Sequence, residues 1–142
     1  YICFRYANVY GPRQGNGGEG GVISIFCERL QAHKDISIFG DGEQTRDFVY
    51  VDDVVAANMA ALHKPDLVGV INVSTERGTS LNKLVAQFKK IVDHEFNVHY
   101  EEARQGDIKH SLLSTKKMIN ELGLSATVKL DKGLTTTYEY FQ

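Results

Sequence analysis

Arg13, Arg46 and Arg104 fall in glycine-containing loops or at strand edges, whereas most lysines lie on stretches with helical spacing, where solvated charge is the ordinary reading. A guanidinium is a planar fork of donors that fits phosphate oxygens, and each charge-assisted contact contributes roughly 1.5–3 kcal/mol. Several arginines on loops can therefore converge on a pyrophosphate. Asp107 is then available to accept from ribose hydroxyls, and Phe39 or Phe48 to flank a base. Arg46 sits inside the run from Gly40 to Asp53, in which a Gly-Asp-Gly turn, an arginine entering an alternating strand and paired acids opening an apolar helix follow one another. Strand periodicity puts Arg46, Phe48 and Tyr50 on one face. A surface hairpin with Arg46 paired to Asp47 or Asp41 fits the same run equally well.

The remaining chemistry is sparse. No acid/base pair, nucleophile–histidine set or metal cluster stands out, and the five histidines lack paired metal spacing. The tyrosines at 1, 6, 10, 50, 100, 138 and 140 have no lysine four residues on. Cys3 and Cys27 lie in apolar surroundings without a second ligand nearby, against a disulfide framework or a zinc site. A net charge of −2 with mixed signs argues against a nucleic-acid surface. No apolar run approaches the roughly 18 residues of a membrane span. The sequon Asn72-Val73-Ser74 falls in a strand with buried character and is discounted.

These side chains are held by alternating elements. At 142 residues and 42% hydrophobic content the chain is one domain by size, with enough apolar residues for a core. Tyr1 to Ala7 reads as a strand already under way, without an initiator Met, which suggests a piece of something longer. Asn8 to Gly21 reads as a loop. Its Gly15–Gly21 part matches G-x-G-x-x-G, but Asn8 to Gln14 separates it from the strand, so it suits a mobile loop over a pocket better than a dinucleotide turn. Helices are expected from Val22 to about His33, from Asp52 or Asp53 as cap to before Pro65, from Thr79 or Ser80 as cap through Val92, from Ser114 to Leu122 with Gly123 closing it, and from Asp131 through Phe141. Strands are expected at 36–39, from Arg46, at 68–73 and at 97–101. Strands alternating with helices call for an α/β architecture.

Three runs then make a longer pattern: Arg5-Tyr6-Ala7-Asn8-Val9-Tyr10-Gly11-Pro12-Arg13, the stretch from Ile38 to Asp53, and Ala103-Arg104-Gln105-Gly106-Asp107. Together they resemble the second half of the NAD-dependent epimerase/dehydratase family, extended short-chain dehydrogenases acting on nucleotide sugars, with most likeness to the UDP-glucose 4-epimerase type. The resemblance implies the C-terminal portion of a doubly wound Rossmann-type fold, mainly its smaller substrate-binding domain with a last Rossmann strand. Residues 1–142 would be that part, and the N-terminal NAD-binding half would be absent.

Carried over by position, the resemblance places Asn8 on the nucleotide diphosphate and Tyr6 by the nicotinamide end of NAD. Val22 would open the helix under the substrate loop. Ser37 and Phe39 would frame the uracil, with Leu81 walling the base. Arg46 would hold the pyrophosphate with Phe48 alongside, Arg104 would be the second clamp and Asp107 would meet the ribose. Gln105 stands where many relatives have proline, implying a looser turn at Arg104. The family's Tyr-x-x-x-Lys pair is missing, so this chain would grip a UDP-sugar rather than turn it over. The intact enzyme would pass hydride from sugar C4 to NAD and back to the opposite face, with a tyrosine as base. A nucleotide-sugar dehydratase or decarboxylase of the same family, or a non-catalytic binding module, are the alternatives. The resemblance further implies a cytoplasmic homodimer in full-length form, engaging neither nucleic acid nor membrane.

Overall fold

The computed structural model describes residues 1–15 and 20–142. In chain order the elements are β1 (Ile2–Tyr6), β2 (Asn8–Tyr10), α1 (Val22–Gln31), β3 (Ile36–Phe39), β4 (Thr45–Tyr50), α2 (Val51–Leu62), β5 (Gly69–Val73), β6 (Gly78–Ser80), α3 (Leu81–Ile91), β7 (Val98–Glu101), a π-helical turn Met118–Leu122 and α4 (Leu130–Tyr140). β1 pairs with β5 and β3 with β7, both in parallel. β4 runs parallel to β2 on one side and antiparallel to β6 on the other. Parallel neighbours need long crossovers, which the helices supply, so the architecture is α/β.

Asn8 to Tyr10 is strand, not the start of a loop. The Ala7 amide donates to the Val73 carbonyl at 3.0 Å, closing the β1–β5 ladder, and one residue later the chain changes partner, so that Asn8 faces Phe48 and Tyr10 faces Tyr50. Extended backbone thus stays paired through Tyr10 while its partner strand switches. The change opens the sheet beside the carboxyl end of β1, the kind of place where α/β folds bind ligands.

β4 feeds two cores because its side chains alternate. Phe48 and Tyr50 pack with Tyr10, Phe26, Phe88 and Leu134, while Val49 packs with Val54, Ile71, Val73 and Met118 on the other side. Tyr10 meets Phe48 and Tyr50 edge-on, with ring centroids 6.3 and 5.4 Å apart. α4 approaches this aromatic group through Gly133, where a methyl would overlap the Tyr10 hydroxyl and lie 3.0 Å from the Tyr50 ring. Gly133→Ala is accordingly expected to lower stability by about 1–3 kcal/mol in urea unfolding.

Capping follows side-chain competition. Ser80 caps α3 as expected, accepting from the Lys83 amide at 3.2 Å. Neither Asp52 nor Asp53 caps α2; the flanking residue is Tyr50, with no side-chain cap. Asp53 is instead drawn to the loop before α4, accepting from the Thr127 amide at 2.8 Å, the Thr127 hydroxyl at 3.0 Å and the Val128 amide at 3.2 Å. The last helix opens one residue earlier than expected, at Leu130, with Asp131 in its first turn. Ser114 and Thr115 are not helical: Asn72 Nδ2 donates to the Ser114 carbonyl, and Glu76 takes both the amide and the hydroxyl of Thr115. Helical turns begin at Lys116, and Gly123 closes them in the left-handed region, φ 73°.

Those two hydrogen bonds from Thr115, the hydroxyl's being the stronger influence, hold the Glu76 carboxyl below the usual glutamate range. A carboxylate depressed in the folded state contributes stability above its unfolded pKa and loses it as pH falls through the depressed value. Glu76→Gln should therefore be less stable than wild type at pH 7, with the gap narrowing toward pH 3 in urea titrations.

Candidate functional site

A cavity of about 700 Å³ opens between α1, β3, the start of β4, the first residue of α3 and the 103–107 loop. β3 buries Ile36 and Ile38 in the core, the period of two leaves Ser37 and Phe39 more accessible, and Ser37, Ile38 and Phe39 all contribute to the cavity lining. On α1, Val22, Ile25 and Arg29 follow i, i+3, i+7 spacing along the same wall. Leu81 enters the wall directly after the Ser80 cap.

The Gly-Asp-Gly turn fixes the rim. Gly40 and Gly42 have φ of 87° and 75°, and a methyl on Gly42 would overlap Asn82. Asn82 donates to the Asp41 carbonyl and to Glu43, while its amide donates to the Gly42 carbonyl, so the turn is fastened to the first turn of α3. Gln44 Nε2 donates to the Phe39 carbonyl at 2.7 Å, joining the turn to the end of β3.

Arg46 pairs with neither Asp47 nor Asp41. Asp47 is buried and accepts from the Thr75 amide and hydroxyl and from the Glu76 amide, and Asp41 accepts from the Glu43 amide. Arg46 Nη2 instead meets Asp107 at 2.6 Å, while Nη1 donates to the carbonyls of Thr45 at 3.0 Å and Ile108 at 2.5 Å. The 103–111 segment is further tied to β4 by the Thr45 amide to the Lys109 carbonyl and by the Ser111 amide to the Thr45 carbonyl. That anchorage brings Arg104 over the Phe39 ring, 3.8 Å from its centroid, a cation–π stack. The turn at Gln105 is closed by the Asp107 amide donating to the Arg104 carbonyl at 3.2 Å, with Gly106 at φ 84°. Two distant segments thus place Arg46 and Arg104 on one cavity, with Arg29 as a third guanidinium; among the described lining residues Asp107 is the one carboxylate. This excess of positive charge suits an anionic ligand.

Asn8, Val22, Ser37, Phe39, Arg46, Leu81, Arg104 and Asp107 line this cavity; Phe48, Tyr6 and Arg13 do not. Phe48 is packed against Tyr10 and lines an adjoining cavity of about 230 Å³, together with Asn8, Val22 and Gln14. Tyr6 stands at the end of β1, 44% exposed, its hydroxyl engaged with the Asn58 amide group. Gln14, Arg29 and Gln44 are cavity residues that sequence reasoning missed. Gln14 Nε2 donates to the Val9 carbonyl, and its Oε1 is buried with no partner among the described residues. Only Arg29 carried a usable signal, its spacing from Val22. Of the glycine-rich match, Gly20 lines the cavity and Gly21 precedes α1, while residues 16–19, on which the mobile-loop expectation partly rests, lie outside the described residues.

Burial removes other groups from acid–base or nucleophilic work near pH 7. Desolvation raises the Tyr10 and Tyr50 phenols and pushes the Cys27 thiol up to about 12. Cys3 is exposed rather than enclosed by apolar neighbours, and both cysteines are free. Among the described residues no group of three or more His, Cys, Asp or Glu could hold a metal ion, and no helix is long and apolar enough to cross a membrane.

Comparison with known proteins gives a consistent set. The family model described as NAD dependent epimerase/dehydratase family matches residues 1–74. The chain is 39% identical over 136 residues to a UDP-glucose 4-epimerase of Mycolicibacterium smegmatis, covering 96% of this chain and 44% of that protein. The crystal structure of UDP-glucose 4-epimerase with UDP-glucose from Thermotoga maritima superposes with a TM-score of 0.91 at 45% identity, covering 99% of this chain and 45% of that one. The Thermus thermophilus UDP-glucose 4-epimerase complex with NAD gives 0.87 at 33% identity, covering 99% and 46%. The chain therefore spans less than half the length of these relatives.

Proposed function

The chain belongs to the NAD dependent epimerase/dehydratase family, and from that premise we propose that it forms the substrate-binding part of a nucleotide-sugar epimerase, most specifically one interconverting UDP-glucose and UDP-galactose. The observation that carries this reading is the shared cavity of Arg46 and Arg104, reached from β4 and from the 103–107 loop. The two guanidiniums would take the diphosphate, and Asp107, already oriented by Arg46, the ribose. Ser37, Phe39 and Leu81 would enclose the base. Asn8 and Val22, shared with the smaller cavity, mark the passage toward the sugar.

NAD is the cofactor of this family, and when bound it supplies the hydride chemistry. Of this chain's residues Tyr6 fits its edge: the ring is open at the carboxyl end of a parallel strand and its hydroxyl is fixed by Asn58. The contribution of residues 1–142 is grip and orientation, which lowers the barrier by holding the reacting carbon in place. Homodimerisation and a cytoplasmic setting are part of the same proposal.

The test is proton NMR of the full-length protein incubated with NAD and UDP-glucose. Equilibration with UDP-galactose is expected. A 4-keto product would redirect the reading to a dehydratase, and absence of conversion together with absence of UDP-glucose binding would overturn it.

A further inference from the structure

We propose that Arg29 reads the base of the bound nucleotide and selects a ring that presents carbonyl oxygens, as uracil and thymine do, over one that presents an amino group in the same place, as cytosine does. This rests on the nucleotide-sugar reading of the cavity and names which residue sets its base preference. α1 runs along the cavity wall, and the seven residues from Val22 to Arg29 span about 10 Å of helix. Val22 is shared with the small cavity next to Asn8 and Gln14, so the far end of the helix, with Arg29, lies toward Ser37 and Phe39.

Arg29 is held there by its own backbone surroundings. Its Nε donates to the Asp35 carbonyl at 2.6 Å, and its carbonyl accepts from the Lys34 amide at 2.8 Å. The Asp35 carboxylate does not neutralise it, being taken by the Asn97 amide at 2.8 Å and by His99 at 3.0 Å. With Nε committed, the Nη groups carry the remaining donors of a side chain that lines the cavity. A guanidinium has donors and no acceptor, so it matches a carbonyl edge and opposes an amino edge. Ser37 and Phe39 accept either ring: a hydroxyl both donates and accepts, and an aromatic face is indifferent to the edge groups of the base.

The experiment is calorimetric titration of the full-length protein with UDP and with CDP, for wild type, Arg29→Ala and Arg29→Lys. Wild type is expected to favour UDP at least tenfold. Arg29→Ala should lose about that factor for UDP while CDP changes less than twofold, so that the ratio collapses, and Arg29→Lys should fall between. A purely structural role for the Asp35 tether would lower both diphosphates alike and leave the ratio intact, and that result overturns the assignment while leaving the diphosphate clamp standing. A wild type that binds both equally also overturns it. A wild type that binds neither refutes the nucleotide-sugar reading itself.

Discussion

Replacing Arg46 by alanine in the full-length protein is expected to weaken UDP-sugar binding by about 100-fold or more in calorimetry. Two charge-assisted contacts to a diphosphate are worth roughly 3–6 kcal/mol together, and about 1.4 kcal/mol is a factor of ten. Arg46 also anchors the opposite wall, through Asp107 and the Ile108 carbonyl. Its loss would free the loop that carries Arg104, so the effect includes the second clamp and is not additive with it. Arg46→Lys keeps a charge without the planar fork and should recover only part of the affinity. Unchanged affinity in Arg46→Ala would remove this residue from the ligand.

Arg104→Ala carries the second large effect, expected at about 10–100-fold in the same titration, from one charge-assisted contact of roughly 1.5–3 kcal/mol. Its guanidinium lies 3.8 Å over the Phe39 ring, so ring and cation act as one unit. A double-mutant cycle of Arg104→Ala with Phe39→Ala should therefore show coupling of about 0.5–2 kcal/mol. Independent effects of the two substitutions would mean that the stack does not persist when ligand binds.

Much of the scaffold was written in local patterns. The existence of α1, the β3 strand and the Ser80 cap depend on residues close in sequence, and periodicity or cap chemistry exposes them. Of the expected α1 face, though, Phe26 and Leu30 pack into the core beside Ile23 and Cys27, while Val22 and Ile25 turn to the cavity. What stayed hidden was set by distant partners. Asp53 looked like a cap but is claimed by Thr127 and Val128, 74 and 75 residues on. Ser114 and Thr115 looked helical but are held out of a helix by Asn72 and Glu76. Asn8 to Tyr10 looked like loop because its partners on β4, Phe48 to Tyr50, lie 40 residues away. The cavity shows the same division. Arg46, Arg104 and Asp107 were legible as residue types in glycine-bearing turns, and family resemblance supplied a common ligand. Their joint wall exists only because β4 and the 103–111 segment bridge. Phe48 shares a face with Arg46, as alternation requires, but lies one residue pair further along β4, edge-on to Tyr10 and lining the adjoining cavity instead of the main one.

The shared diphosphate site of Arg46 and Arg104 is tested by a crystal structure of the full-length protein with a UDP-sugar bound. The diphosphate is expected between the guanidiniums of Arg46 and Arg104, with the base against Phe39 and Leu81. A diphosphate seated elsewhere, with either arginine turned to bulk solvent, would contradict that shared site.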